Sequence, residues 1–416
     1  MDEQSLLGAT MKKFTMWLGR FQVFTIFLIL AVSCKPQQEQ FTQKGVVQVN
    51  KNPPGESPGQ CIKFTKIAAG RLHSLALAED GTLWSWGYNE HGGLGDGSTI
   101  DRPTAVKVVG MSGVADIATG GSWHTLVLKK DGTVWAFGLN VSGQLGIGSH
   151  DDSLVPVQVS NLNNIIAIAA AQAHSLALRQ DGTVWGFGNG FHGQLGPNNI
   201  GSKIPMQIPG ITGAIAIAAG EEFSLVLKAD GTVWGMGYND GGELGDGTNH
   251  NVRYTPVQVK LPKTTKIVAI AAGEDHSLAL NQDGTVWAFG KNDSGQLGDG
   301  TRIGRTTPVM IPGLTGVTKI SAAIWHSTVL KQDGTVWAFG YDMFDGYSTA
   351  ITQVPGISDV KTIDENGFHL LVLKKDGSVF ATGKNMYGQL GNGTTNLPNT
   401  FSAEKILDPI DPSCGM

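Results

Sequence analysis

Charge is sparse in this 416-residue chain, at 16% Asp, Glu, Lys and Arg, and it leans acidic, with 30 basic against 35 acidic residues. A net charge of -5 argues against a surface held to nucleic acid by phosphate contacts, so no nucleic-acid partner is expected. Catalytic signatures are missing as well. There is no Gly-x-Ser-x-Gly elbow and no His-Glu-x-x-His. The Gly-Asp-Gly triplets at 95–97, 245–247 and 298–300 lack a twelve-residue EF-hand pattern. Neither a P-loop lysine nor a strand–turn–helix context follows the glycine-rich segments. No catalytic residue, metal or cofactor is therefore named, and the chain is expected not to be an enzyme. Long apolar runs are absent too: the uncharged stretch 21–33 has 13 residues, too short to cross about 30 Å of hydrocarbon as a helix. Cysteine is limited to Cys34, Cys61 and Cys414.

Glycine, by contrast, is plentiful. Its 58 copies, about 14% of the chain, exclude a helix-dominated protein, because an interior glycine costs about 1 kcal/mol of helix propensity. They follow no three-residue period, which excludes collagen. They belong to a longer repeat. Asp80, Asp131, Asp181, Asp230, Asp283, Asp333 and Asp376 each precede a glycine, at intervals of 51, 50, 49, 53, 50 and 43, making seven units.

Each unit reads as short strands. In the first, residues 74–79 and 82–86 flank Asp80-Gly81, a two-residue hairpin turn. That turn sets Leu77 opposite Trp84 and Leu75 opposite Trp86, and in the second unit Leu128 opposite Trp135 and Leu126 opposite Phe137. Two further apolar segments, such as 114–118 and 156–159, complete four antiparallel strands with both faces buried. Seven such sheets closed around an axis form an all-β, seven-bladed β-propeller; a linear solenoid would need polar caps. Residues 401–407 or 45–49 are the candidates for closing the ring.

Six histidines (His73, His124, His174, His276, His326 and His369) stand seven residues before the Asp-Gly aspartate, with Phe223 in the fourth unit. Spread over separate blades and lacking zinc spacing, they read as a repeated structural hydrogen bond. Trp84 and its counterparts read as core. Trp123 and Trp325 each precede a repeat histidine and are candidates for partner contact. The sixth unit departs from the pattern: after Gly340 it reads Tyr-Asp-Met-Phe-Asp-Gly, without the Gly-Gln-Leu-Gly loop. Tyr341, Met343 and Phe344 join the candidate partner-binding residues, since loops on a fixed scaffold carry recognition.

The pattern AAGxxHSLAL followed by DGTVWxFGxNxxGQLGDG resembles the regulator of chromosome condensation (RCC1-like) repeat family over about residues 64–407. The resemblance implies seven blades. Nuclear members of that family act as guanine-nucleotide exchange factors, others as adaptors, and a secreted bacterial one inhibits β-lactamase.

The N-terminus has a basic start (Lys12, Lys13, Arg20), the short uncharged run and then Leu30-Ala31-Val32-Ser33-Cys34. It resembles a bacterial lipoprotein signal peptide with Cys34 as the lipidated residue; plain secretion and an uncleaved anchor are the alternatives. The expected organisation is a signal peptide at 1–33, a flexible tether at 34–60 and the propeller at 61–416, with a Cys61–Cys414 disulfide as a candidate staple of the seam. On this reading the protein is a non-enzymatic protein-binding scaffold, anchored to membrane through Cys34 in the bacterial cell envelope, with a protein partner of unknown identity. The alternatives are a glycan-binding propeller and an exchange-factor-like regulator or inhibitor of another protein.

Overall fold

A computed structural model describes residues 61–121, 123–197, 200–342, 346–396 and 404–406. They form seven four-stranded antiparallel sheets, each built from consecutive strands. In the first blade the strands are Phe64–Ala69, His73–Ala78, Leu83–Gly87 and Arg102–Lys107. First strands of successive blades touch one another, which places them around the axis. The fourth strands are the most exposed, as in Gly201–Gln207. The seven-bladed propeller expected from the repeat is what forms.

The hairpin register differs from the expected one by a residue. Leu77 lies opposite Leu83, Ala76 opposite Trp84 and Ser74 opposite Trp86. In the second blade Leu128 faces Val134, and Thr125 faces Phe137. The cause is the turn. Ala78 N–H donates to Thr82 O and Gly81 N–H to Ala78 O, with Gly81 at φ 86°. This is a three-residue loop with glycine in the left-handed position, so the pairing slips by one from that of a two-residue turn. Asp80 contributes through its side chain, accepting from both the N–H and the hydroxyl of Thr82 at 2.8 and 2.7 Å.

The repeated tryptophan is less interior than expected. Trp135, Trp185, Trp234, Trp287 and Trp337 are only partly buried. The indoles of Trp135, Trp185, Trp234 and Trp337 are roofed by cations from the neighbouring strand, such as Arg179 at 4.2 Å from the Trp185 ring and Lys228 at 4.3 Å from Trp234. The deeper packing lies between blades. Leu145, in the loop after the second blade's third strand, sits in one cluster with Leu126 of its own blade and Phe187 of the next. Gly146 rests so close to Phe187 that a Cβ there would come within 2.7 Å of the ring.

The ring closes with the C-terminal candidate: Glu404–Lys405 pairs with Phe380 and Ala381 as the seventh blade's fourth strand. Phe64 N–H donates to Gly377 O at 2.8 Å, and Ala69 N–H to the Asp364 carboxylate at 2.8 Å, joining first and last blades. Residues 45–49 lie outside the described part, as do Cys34 and Cys414. Cys61 is exposed and disulfide-bonded.

The histidines do form a repeated latch. Nε2 of His124 meets Ser175 Oγ of the next blade at 2.9 Å, and that hydroxyl donates to Gln144 O at 2.8 Å. With the hydroxyl proton committed to the carbonyl, Nε2 must carry its own proton, which fixes the tautomer. The same pair recurs as His73–Thr125, His174–Ser224, His276–Ser327 and, across the seam, His369–Ser74. Burial pushes these five imidazoles down, His73 to about 4 and the others to about 3.

Candidate partner-binding face

Antiparallel blades place the loops between strands 1 and 2 and between strands 3 and 4 on the same side of the ring. On that side two repeat positions meet in every blade: the residue before the histidine and the residue after the third strand's glycine. The second donates its N–H to the first's carbonyl, as from Tyr88 to Leu72, Leu139 to Trp123, Tyr238 to Glu222, Lys291 to Asp275, Tyr341 to Trp325 and Lys384 to Phe368. The backbone link is invariant and the side chains are not. A rigid ring therefore presents pairs of freely varied residues.

Two arcs of different chemistry result. Around blades six, seven, one and two the pairs are aromatic and cationic. Trp325, 42% exposed, meets Tyr341 edge-on at 5.7 Å and Phe368 at 6.1 Å. Lys384 lies 3.9 Å from the centre of the Phe368 ring, and Arg71 lies 5.6 Å away. Burial lowers the Lys384 pKa, and the Arg71 charge adds to the effect. Further round, Tyr88 packs against Tyr387 at 4.9 Å and Trp123 at 5.2 Å, while His91 stacks on Trp123 at 5.4 Å. These rings are engaged with one another, which favours an adaptable contact surface over a flat sugar-stacking platform.

Blades four and five carry the acidic arc. Burial, then the hydrogen bond and charge of Glu274, push the Glu221 carboxyl well up. Burial raises Glu243 to about 7. Burial works against the Lys291 charge, yet its 2.7 Å hydrogen bond to Asp275 holds its pKa above the usual lysine range. Glu221 and Glu274 border a narrow axial opening of about 30 Å³ that draws residues from all seven blades, Arg71 among them.

The structure thus brings Trp325 and Tyr341 together and places Trp123 in a separate aromatic group. Trp123 has a positive φ of 62°, in a loop lengthened by Gly121. Met343 and Phe344 lie outside the described residues. Sequence reasoning missed Phe368, Tyr88, Lys384 and the acidic arc. Phe368 stands immediately before His369, the repeat position that singled out Trp123 and Trp325, so the signal was there to be read. The aspartates of the Gly-Asp-Gly triplets are engaged within the loops: Asp96 with Arg102 at 2.8 Å and Ser98, Asp246 with Arg253 at 2.8 Å and Thr248.

The RCC1-like domain family matches residues 36–266, and the regulator of chromosome condensation repeat matches 267–296, 283–330 and 376–405. The chain belongs to the RCC1-like family. It is 30% identical to the Arabidopsis thaliana ultraviolet-B receptor UVR8 over 60% of this chain and 46% of that protein. With the human E3 ubiquitin-protein ligase HERC2 it shares 35% over 58% of this chain and 4% of the relative. It thus spans less than half the length of these curated relatives. Human WBSCR16 superposes with a TM-score of 0.72 at 23% identity, covering 79% of this chain and 95% of that one. Saccharomyces cerevisiae Prp20p, described through its binding to Gsp1p and histones, superposes at 0.66 with 24% identity, covering 73% and 80%.

These relatives overturn the lipoprotein reading of the N-terminus. They are proteins of a plant, of human and of yeast, not bacterial lipoproteins. The lipidated Cys34, the membrane partner and the cell-envelope scaffold are withdrawn with it, and so is the envelope location. No helix among the described residues is long and apolar enough to cross a membrane. Solved propellers of the same fold include Prp20p, described through its binding to Gsp1p and histones and through a complex with Kap60.

Proposed function

We propose that this propeller is a non-enzymatic, protein-binding regulator that engages its partner through the loop face bearing the paired variable residues. The observation that carries the reading is the pairing itself: an invariant backbone bond in each blade, with Trp325–Tyr341 and Phe368–Lys384 on one arc and Glu222–Tyr238 and Asp275–Lys291 on the other. A partner that meets both arcs would present acidic and apolar groups to the first and basic groups to the second, giving register through charge as well as area. Relatives described through complexes with Gsp1p, histones and Kap60 support a protein partner. Exchange-factor-like regulation is the narrower form of this reading that those relatives favour.

Photo-crosslinkers placed at Trp325 and, on the opposite side of the ring, at Asp181 would test it. The expected result is a discrete protein adduct from position 325 that is lost in Phe368→Ala and absent from position 181. Equal adducts from both positions would defeat the assignment of the face.

A further inference from the structure

Six of the seven junctions between blades are plugged in the same way. A loop leucine (Leu94, Leu145, Leu195, Leu244, Leu297 or Leu390) is fully buried, and the next blade sets a large side chain against that leucine or the glycine that follows it. Those large residues are Trp86, Phe137, Phe187, Met236, Phe289 and Phe339, all buried. Among the described residues the junction between blades six and seven has neither element. In the first blade residues 88–101 join the third and fourth strands; in the sixth, only three residues of sequence separate Val336–Asp342 from Gly346–Gln353. Thr382 occupies the position of the large residue. A cavity of about 270 Å³ lies between the two blades.

Its walls have changed in concert. Thr328 replaces the leucine found in the second strand of every other blade, and it pairs with Ala338, which in turn faces Thr352. On the seventh blade Glu365, Leu370 and Thr382 form one cross-strand row. All six line the cavity. His326 Nε2 binds Glu365 Oε1, but Glu365 Oε2, Thr328 Oγ1 and Thr382 Oγ1 are buried without a hydrogen-bond partner. Loss of packing alone would leave smaller apolar side chains. Here hydroxyls and a carboxylate have been added, and buried polar atoms are ordinarily paired. Tyr341 and Phe368 also border the space, so an aromatic body finds ring surface there.

We propose that the cavity between blades six and seven is a binding site for a small organic molecule with an apolar, aromatic body and a hydrogen-bond-donating head, of the arylalkylamine kind. The head would donate to Glu365 Oε2, with the Thr328 and Thr382 hydroxyls beside it. The site adjoins the partner-binding face, sharing Tyr341 and Phe368 with it, but its test needs no partner.

Ligand-observed saturation-transfer NMR on the full chain tests the site with three probes of one shape: 2-phenylethylamine, 2-phenylethanol and phenylacetate. The amine should bind most tightly, the alcohol more weakly, and the carboxylate at least about tenfold less tightly than the amine, since it would face Glu365. Glu365→Gln should weaken the amine about tenfold and leave the alcohol little changed. Thr382→Phe, which restores the residue type of other blades, should abolish binding of all three while circular dichroism and thermal unfolding stay native; Thr328→Leu is the second filling variant should the first not fold. No binding of amine or alcohol to the wild type would mean a merely hydrated cavity and would overturn the proposal. Phenylacetate binding as tightly as the amine would overturn it too, as would binding retained in a folded, filled variant.

Discussion

The junction between blades four and five and the junction between blades six and seven each lack one of the two devices that fasten the ring. At the first, Phe223 stands where a histidine would reach across, so Ser277 keeps only its bond to Glu243 O, at 2.8 Å. Its apolar plug, Leu244 with Phe289, is complete and buried. At the second, the described residues supply no plug and the seventh blade has Leu370 in place of the accepting serine, yet His326 still finds an acceptor in Glu365. A blade junction therefore tolerates loss of the polar latch or loss of the apolar plug, and neither junction has lost both. Latch and plug are separable contributions, which makes each of them testable.

The latch sets the largest expected effect, through pH. An unfolded histidine titrates near 6.5, whereas the five buried ones titrate at about 3 to 4. Their folded pKa values lie below the unfolded ones, so the native chain binds fewer protons. Stability is complete above pH 6.5 and drains away as pH falls towards 3. By pH 5 each contributes a loss of about 2 kcal/mol, on the order of 10 kcal/mol for the five. Glu243 and Asp364, raised by burial to about 7 and 6, act in the opposite sense and stabilise as pH falls through their folded values. Denaturant unfolding from pH 8 to 4 should show a steep fall below about pH 6; a flat profile would mean that the histidines are not buried as neutral groups.

The plug comes next. Phe137→Thr at the junction of blades one and two copies what Thr382 does at the other junction, but with the loop leucine Leu94 still in place. Exchanging a fully buried phenylalanine for a small hydroxyl side chain should cost about 3 to 5 kcal/mol at pH 7, close to the cost of truncation to alanine. A loss below about 1 kcal/mol would show that the junctions collapse readily, and the cavity at blades six and seven would then lose its distinction.

Much of this was legible in advance because the repeat states each instruction seven times. Blade number, strand order and the structural role of the histidines follow from spacing and residue type. Register did not, because Asp-Gly serves both a two-residue turn and a three-residue loop. Which of them forms depends on whether glycine alone takes positive φ, as Gly81 does here. The departure at Tyr341–Asp342 was visible as a missing loop. Its consequence, a cavity, required knowing that the loop leucine inserts between blades rather than within one. Glu365 carried no signal in the sequence; only the register places it in one row with Thr382, and folding brings it to His326.

The smallest expected effect separates latch from plug at a single site. His276→Phe reproduces the arrangement of the fourth blade, where a glycine also lies beneath the ring, Gly273 under His276 as Gly220 under Phe223. Ser327 would keep its 2.9 Å bond to Gln296 O, and Leu297 with Phe339 would still fill the junction. Losing one neutral hydrogen bond without stranding its partner should cost about 1 kcal/mol or less at pH 8. At pH 5 the sign should reverse, since the variant no longer has that imidazole to keep neutral and escapes about 2 kcal/mol of acid destabilisation. Paired unfolding curves at the two pH values read this crossover directly. A variant less stable than wild type at both would mean that the latch holds the ring by geometry that a phenyl ring cannot supply, and that blade four has compensated elsewhere.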